Sequence, residues 1–279
     1  MGRFPTVRLA RGEGITAFNQ AEKGLTIPVR PFNYVRNKYG RRKGDEGVAI
    51  FALSDLHLSF GTDKPMDVFG GRWENYTERI YENWQRTVSN DDLVIIAGDV
   101  SWATYIEDAV ADFRFINNLN GKKVIIKGNH DYWWTTLSKM ERFLSENGFD
   151  TIRILNNTAA VFEDTAICGT RGWGFADGES RAHNEMMFER ERMRLVRSLE
   201  QAERLHPKRR IVAMHYPPAD KNGVDRGFTE IMKNYGVDCC VYGHLHSYAH
   251  KNAVEGIVDG VELKLTSCDF VNFTPVLLW

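Results

Sequence analysis

Five times along this chain a run of apolar residues, mostly β-branched or aliphatic, stops at a short cluster of polar residues. Val48–Leu53 leads to Ser54-Asp55-Leu56-His57, Leu93–Ile96 to Gly98-Asp99, and Lys123–Ile126 to Gly128-Asn129-His130-Asp131. Arg210–Met214 leads to His215, and Val237–Val241 to Gly243-His244-Leu245-His246. Short apolar runs without polar alternation are the mark of strands buried on both faces, which is the condition of strands in a parallel sheet covered by helices.

The intervening segments fit that reading. Glu74–Val88 carries Ile80, Trp84 and Val88 on one stripe, and Tyr105–Leu119 repeats apolar residues at helical spacing. Thr135–Glu146 reads as a third helix and His183–Leu205 as a long charged one. The first half is therefore β-α-β-α-β, which argues a parallel sheet with right-handed crossovers. Thr151–Leu155, Ala159–Phe162 and Thr165–Cys168 follow as closely spaced strands. Ala249–Val254, Val261–Leu265 and Thr274–Leu278 read as antiparallel strands at the end. The fold class expected is α/β, with two facing mixed β-sheets flanked by helices.

At 279 residues the chain is long enough for a large core. Its net charge of −1 is unevenly placed, because residues 1–43 hold ten Lys/Arg against two Glu, a balance of +8 that leaves −9 for the remainder. Residues 1–47 show no sustained period and are read as a basic, loosely ordered extension, and 48–279 as the catalytic domain. No apolar run approaches the ~20 residues of a membrane span, and no signal-type stretch stands at the N-terminus, so a cytoplasmic location is expected. The four cysteines (Cys168, Cys239, Cys240, Cys268) form no C-x-x-C pair and read as buried free thiols.

Open α/β sheets place ligand sites at the carboxyl ends of their strands, so five separate loops can converge on one spot. They bring two carboxylates (Asp55, Asp99), the Asn129 carboxamide and five imidazoles (His57, His130, His215, His244, His246). Mixed Asp/Asn/His donors suit divalent ions such as Mn²⁺, Fe²⁺, Co²⁺ or Zn²⁺, and the absence of cysteine argues against a structural zinc site. A lone Gly-Asp says nothing, since turns use it everywhere; the ordered set of five is what points to a metal site. His183, His206 and His250 fall outside the clusters and read as ordinary polar residues.

The pattern D-x-H … G-D … G-N-H-D … H … G-H-x-H resembles the calcineurin-like metallophosphoesterase superfamily over about residues 48–279. The fuller strings Ser54–Phe60, Lys64–Gly70, Gly98–Ala103 and Gly128–Trp134 are similar to a bacterial group of predicted phosphohydrolases. The resemblance implies a four-layer α/β/β/α sandwich and a phosphoesterase that uses two divalent metal ions, Mn²⁺ or Fe²⁺ first, with Zn²⁺, Co²⁺ or Ni²⁺ compatible. It implies that Asp55, His57 and His246 hold the first ion, that Asn129, His215 and His244 hold the second, and that Asp99 bridges them. A metal-activated hydroxide would attack the ester, His130 would assist the leaving group, and Asp131 would orient His130 from behind. Trp102 stands where Ser/Thr protein phosphatases carry an Asp-Arg-Gly run and purple acid phosphatases a tyrosine ligand, so neither branch is expected.

Arg171, Trp102 and Tyr132 flank the clusters and are expected to touch substrate, the arginine through a second phosphoryl oxygen. A small phosphate ester is the expected partner. A nuclease or cyclic-nucleotide phosphodiesterase is the alternative within the same chemistry, although the net charge offers no broad phosphate-tracking surface. A non-catalytic binding scaffold is the third reading; its weakness is that the ligand set and His130 are all present.

Overall fold

A computed structural model describes residues 48–64, 66–174, 180–219 and 227–279; the basic extension expected at 1–47 lies outside them. The first half forms β1 (Ile50–Ala52), α1 (Tyr76–Thr87), β2 (Leu93–Ile96), α2 (Val110–Asn118), β3 (Lys122–Ile125), α3 (Leu137–Glu146) and β4 (Ile152–Ile154). The second half forms β5 (Ala160–Phe162), β6 (Thr165–Thr170), α4 (Arg181–Glu203), β7 (Arg209–Met214), α5 (Phe228–Asn234), β8 (Cys239–Tyr242), β9 (Gly256–Val258), β10 (Val261–Leu265) and β11 (Val276–Leu277).

Two mixed sheets result. One has the order β11-β1-β2-β3-β4 and the other β5-β6-β7-β8-β10-β9. Strands β1 to β4 run parallel, as do β6, β7, β8 and β10, while β11, β5 and β9 close the edges antiparallel. Alternation along each strand sorts its side chains into two cores. Ile50, Ala52, Ile95 and Val124 of the first sheet meet Ile167, Ile211, Ala213 and Val241 of the second in a layer between the sheets. The opposite faces carry the helices. Phe51, Val94 and Ile125 pack with Ile80, Trp84, Phe113 and Phe143 outside the first sheet. Cys168, Val212 and Tyr242 pack with Phe188, Leu195, Phe228 and Met232 outside the second. The runs lack polar alternation because both faces of each central strand are covered, giving the layers helix, sheet, sheet, helix.

The sheets are stitched at the ends that carry the clusters. Ser54 N donates to Thr266 O at 2.8 Å and Cys268 N to Ser54 O at 3.0 Å, joining the exit of β1 to the exit of β10. The carboxyl ends of both parallel sets therefore open on one side.

Two local expectations change. The segment expected as a strand over Ala249–Val254 begins instead as a 3-10 helix over Ser247–Asn252, and the edge strand starts later, at β9. Ser247 takes a left-handed φ of 50° and its N–H donates to Asp269, which turns the chain before a strand can start. Strand β10, expected as antiparallel, is antiparallel to β9 but parallel to β8, so it is not part of a purely antiparallel end. Helix α5 has seven residues, too few for a clear helical period. All four cysteines are buried free thiols.

Lys123 is fully buried, and its ammonium donates to the carbonyls of Leu119, Gly121 and Asn117 just beyond and within the end of α2. It thus satisfies carbonyls that a helix end leaves without a partner. Burial pushes its pKa down from 10.5 to about 7. Between those values the unfolded chain holds a proton that the folded chain has released, so stability rises with pH across that window. Lys123→Met, which keeps the bulk but carries no proton, is expected to abolish the rise. Urea denaturation at pH 7 and pH 9 checks this; an unchanged pH dependence would show that Lys123 is not its source.

Candidate metal centre

Three of the five clusters leave their strands through a corner that ordinary residues avoid. Asp55, His57, Asp99 and His244 all take left-handed φ values, of 60°, 45°, 52° and 73°. Such conformations cost energy outside glycine and persist only where surrounding structure holds them. The holding bonds are visible: Asp55 N donates to Gly98 O, His57 N to Asp99 O, and His244 N to the Asp55 carboxylate. The glycines ahead of the clusters are needed for contact. A Cβ on Gly128 would lie 2.1 Å from Asp99 Oδ1, and one on Gly243 would lie 2.3 Å from Asp55 Oδ2.

The donors converge. Asp55, His57 and His246 bring one atom each within 4.8 Å of one another, as do Asp55, Asp99 and His215. His57 Nε2 and His246 Nε2 face each other at 3.2 Å, and His246 Nε2 is 3.4 Å from Asp55 Oδ1. Asn129 Oδ1 lies 2.6 Å from His215 Nε2 and 2.9 Å from His244 Nδ1. Between these two groups stands Asp99 Oδ2, 3.8 Å from His57 Nε2 and 3.4 Å from His215 Nε2. All seven expected ligands are thus in one place.

The electrostatics suit divalent cations. Burial drives His57 well below its usual pKa, His215 down to about 3 and His244 down to about 4, so these rings are neutral and keep a free lone pair for a metal. Burial, Asp131 and Asp55 together push Asp99 well above the usual carboxylate range. Asp55 is driven the other way: burial opposes its charge, but the His246 ring beside it holds it well below that range. Although burial disfavours a charged His246, Asp55 and Asp269 hold its pKa up at about 10. Buried carboxylates that demand positive charge, beside neutral imidazoles, are a donor set that fits metal ions.

Asp131 is expected behind the His130 ring, but its oxygens are occupied elsewhere. They accept from Asp99 N (3.0 Å), Val100 N (2.8 Å), Gly128 N (2.7 Å) and Trp133 Nε1 (3.0 Å). A buried carboxylate gathers the nearest N–H donors, and here these are the backbone groups of two ligand loops. Asp131 therefore ties the β2 loop to the β3 loop, whereas His130 Nδ1 is buried without a hydrogen-bond partner among the described residues. The half-buried His130 ring lies 4.5 Å from Trp102, 5.7 Å from His57 and 6.2 Å from Tyr132, centroid to centroid.

Trp102 is stacked on His57 at 5.0 Å and donates its Nε1–H to Met66 Sδ, so it packs the ligand ring as well as facing His130. Tyr132 is 57% exposed and stands at the rim. The Arg171 carbonyl accepts from His215 N and Tyr216 N, while its guanidinium lies over Trp173 at 5.0 Å.

Asp269 was not anticipated. Its Oδ1 is 2.8 Å from His246 Nδ1, its Oδ2 accepts from Ser247 N, and His250 Nε2 lies 3.2 Å from the same oxygen. The signal was present, an Asp just after the apolar run Val261–Leu265, but a lone Asp after a strand carries little weight. A carboxylate on the far nitrogen of a ligand imidazole fixes its tautomer and raises its basicity. Asp269→Asn is accordingly expected to weaken metal binding by about 10–100-fold, read by titration of the apoprotein with Mn²⁺; an unchanged affinity would remove this role.

A family model described as calcineurin-like phosphoesterase matches residues 48–248. No curated protein matches the chain. Among solved structures, a phosphopantetheinyl hydrolase from Mycobacterium tuberculosis is 14% identical, with 82% of this chain and 95% of that one covered and a TM-score of 0.48. A protein of unknown function from Aquifex aeolicus is 15% identical, with 83% and 96% covered and a TM-score of 0.44.

Proposed function

We propose that this chain, which belongs to the calcineurin-like phosphoesterase family, hydrolyses a phosphate mono- or diester with two divalent metal ions as cofactor, Mn²⁺ or Fe²⁺ first. The observation that carries this reading is the convergence of seven donor side chains from five strand ends, with His130 beside them.

In this reading Asp55, His57 and His246 hold one ion, Asn129, His215 and His244 hold the other, and Asp99 faces both. Bound divalent ions supply Lewis acidity and lower the pKa of the attacking water. The chain's own part is to fix the reacting groups. Left-handed corners at Asp55, His57, Asp99 and His244 aim their side chains inward, and Asp131 holds the two central loops at a set distance. His130 is not among the ligands. With burial lowering its pKa, the resting ring is neutral and keeps one N–H for a phosphoryl oxygen. An anionic ester beside the ring favours its protonated form, which then passes a proton to the leaving alkoxide. Tyr132 is exposed beside the His130 ring, and a small ester approaches from that side in this reading.

The test is a screen of metal against substrate: apoprotein reloaded with Mn²⁺, Fe²⁺, Zn²⁺, Co²⁺ or Ni²⁺ and offered phosphomonoesters, phosphodiesters, cyclic nucleotides and single-stranded DNA. Hydrolysis of an ester that vanishes with chelator and returns with metal is the expected result. Cleavage confined to nucleic acid or cyclic nucleotides would move the assignment to the alternative within the family. No turnover with any metal would leave a binding scaffold instead.

A further inference from the structure

Beside the metal centre is a pocket of about 390 Å³, formed where the exits of β3 and β6 meet α4. Lys127, Arg171, Arg190 and Arg194 line it, with Trp134 and Thr170. Of the four cations, Arg194 is neutralised by Glu191, whose other oxygen accepts from the Thr170 hydroxyl. Among the described residues Lys127, Arg171 and Arg190 have no carboxylate partner, and the buried Arg171 Nε has no hydrogen-bond acceptor. Three unneutralised cations held around one cavity repel each other, and an anion among them relieves that repulsion.

The charge selects the anion. A carboxylate brings one negative charge, whereas a phosphoryl group brings about −1.5 to −2 at pH 7 and three acceptor oxygens that match guanidinium forks. The pocket is also tied to the metal centre by the chain itself. Lys127 is two residues before Asn129, so their Cα atoms are at most about 7 Å apart. The Arg171 carbonyl is held by the N–H groups of His215 (3.1 Å) and Tyr216 (3.0 Å).

We infer that the pocket of Lys127, Arg171 and Arg190 binds a second phosphoryl group of the same ligand whose ester is hydrolysed at the metal centre. The substrate class is then a phosphate ester that carries a further phosphate or diphosphate. This inference rests on the phosphoesterase reading for the ester, but the anion pocket is tested by binding and needs no turnover.

The probes are propane-1,3-diphosphonate and butane-1,4-diphosphonate, each against its monophosphonate, propylphosphonate or butylphosphonate, titrated calorimetrically into the metal-loaded full chain. At least one diphosphonate is expected to bind tenfold or more tightly than its monophosphonate, with one molecule per chain. That advantage is expected to fall below threefold in Arg171→Gln/Arg190→Gln. Arg190 is exposed on α4, so Arg190→Gln alone keeps the fold and is expected to lose part of the advantage. Equal affinities in the wild-type protein would overturn the inference, as would an advantage that survives the double substitution. Two monophosphonates per chain with no diphosphonate advantage would show a site for free anions only, and would also overturn it. Failure of the phosphoesterase reading is seen separately, as an absence of ester hydrolysis while the titration still shows the diphosphonate advantage.

Discussion

Asp131→Ala is expected to lose about 4 kcal/mol or more of unfolding free energy, because several buried N–H groups are stranded at about 1–3 kcal/mol each. The wild-type carboxylate is 1% exposed and accepts from Asp99 N, Val100 N, Gly128 N and the Trp133 indole, with Ser101 N further off at 3.4 Å. Water that enters the space relieves part of the cost, which is why the sum of the individual penalties is not expected in full. Asp131→Asn does not rescue the site. Its amide turns an N–H donor toward backbone N–H groups on one side while leaving a single acceptor on the other. Urea unfolding monitored by tryptophan fluorescence gives the change in midpoint. A loss under about 1 kcal/mol, the net worth of one ordinary hydrogen bond, would mean that the loops are held together by other contacts.

His130→Ala is expected to reduce kcat by about 10²–10⁴-fold, the usual contribution of a positioned acid or base. KM for the ester found in the screen should stay within about threefold, since the ligand set still binds the phosphoryl group uniformly. The substitution is informative because the bond from residue 130 to the metal centre runs through the backbone: His130 N donates to Asp99 Oδ1 at 2.8 Å, and alanine keeps that N–H. Metal content by elemental analysis is therefore expected to be unchanged. A leaving group of low pKa needs no proton, so the deficit should shrink with a nitrophenyl ester and be largest with an alkyl ester. A variant with wild-type kcat on alkyl esters would end the leaving-group role of His130.

Both results turn on residues adjacent in the same tetrapeptide, Gly128-Asn129-His130-Asp131, yet only one placement was legible before the fold was known. The position of His130 beside the ligands follows from its place after a buried strand. The bond of Asp131 to the other loop does not, because Asp99 N and Val100 N lie about thirty residues earlier and come close only when β2 and β3 pair, as Ile95 does with Val124. Asp269 was hidden for the same reason: the His246 ring that it orients arrives from a different strand, β8. Strand-like runs were readable where both faces are buried. Ala249–Val254 misled because alternation there reflects a turn anchored on Asp269 rather than a pleat.

The sequence by itself determined the order of the buried central strands and of the longer helices, the candidate donor side chains, and the glycines ahead of them, because side-chain chemistry and hydrophobic period are local properties. Only the tertiary structure decided how the clusters are held. The left-handed corners, the Asp131 and Asp269 carboxylates and the basic pocket between the β3 and β6 exits all depend on groups far apart in the chain, brought within a few ångströms when the two sheets pack face to face.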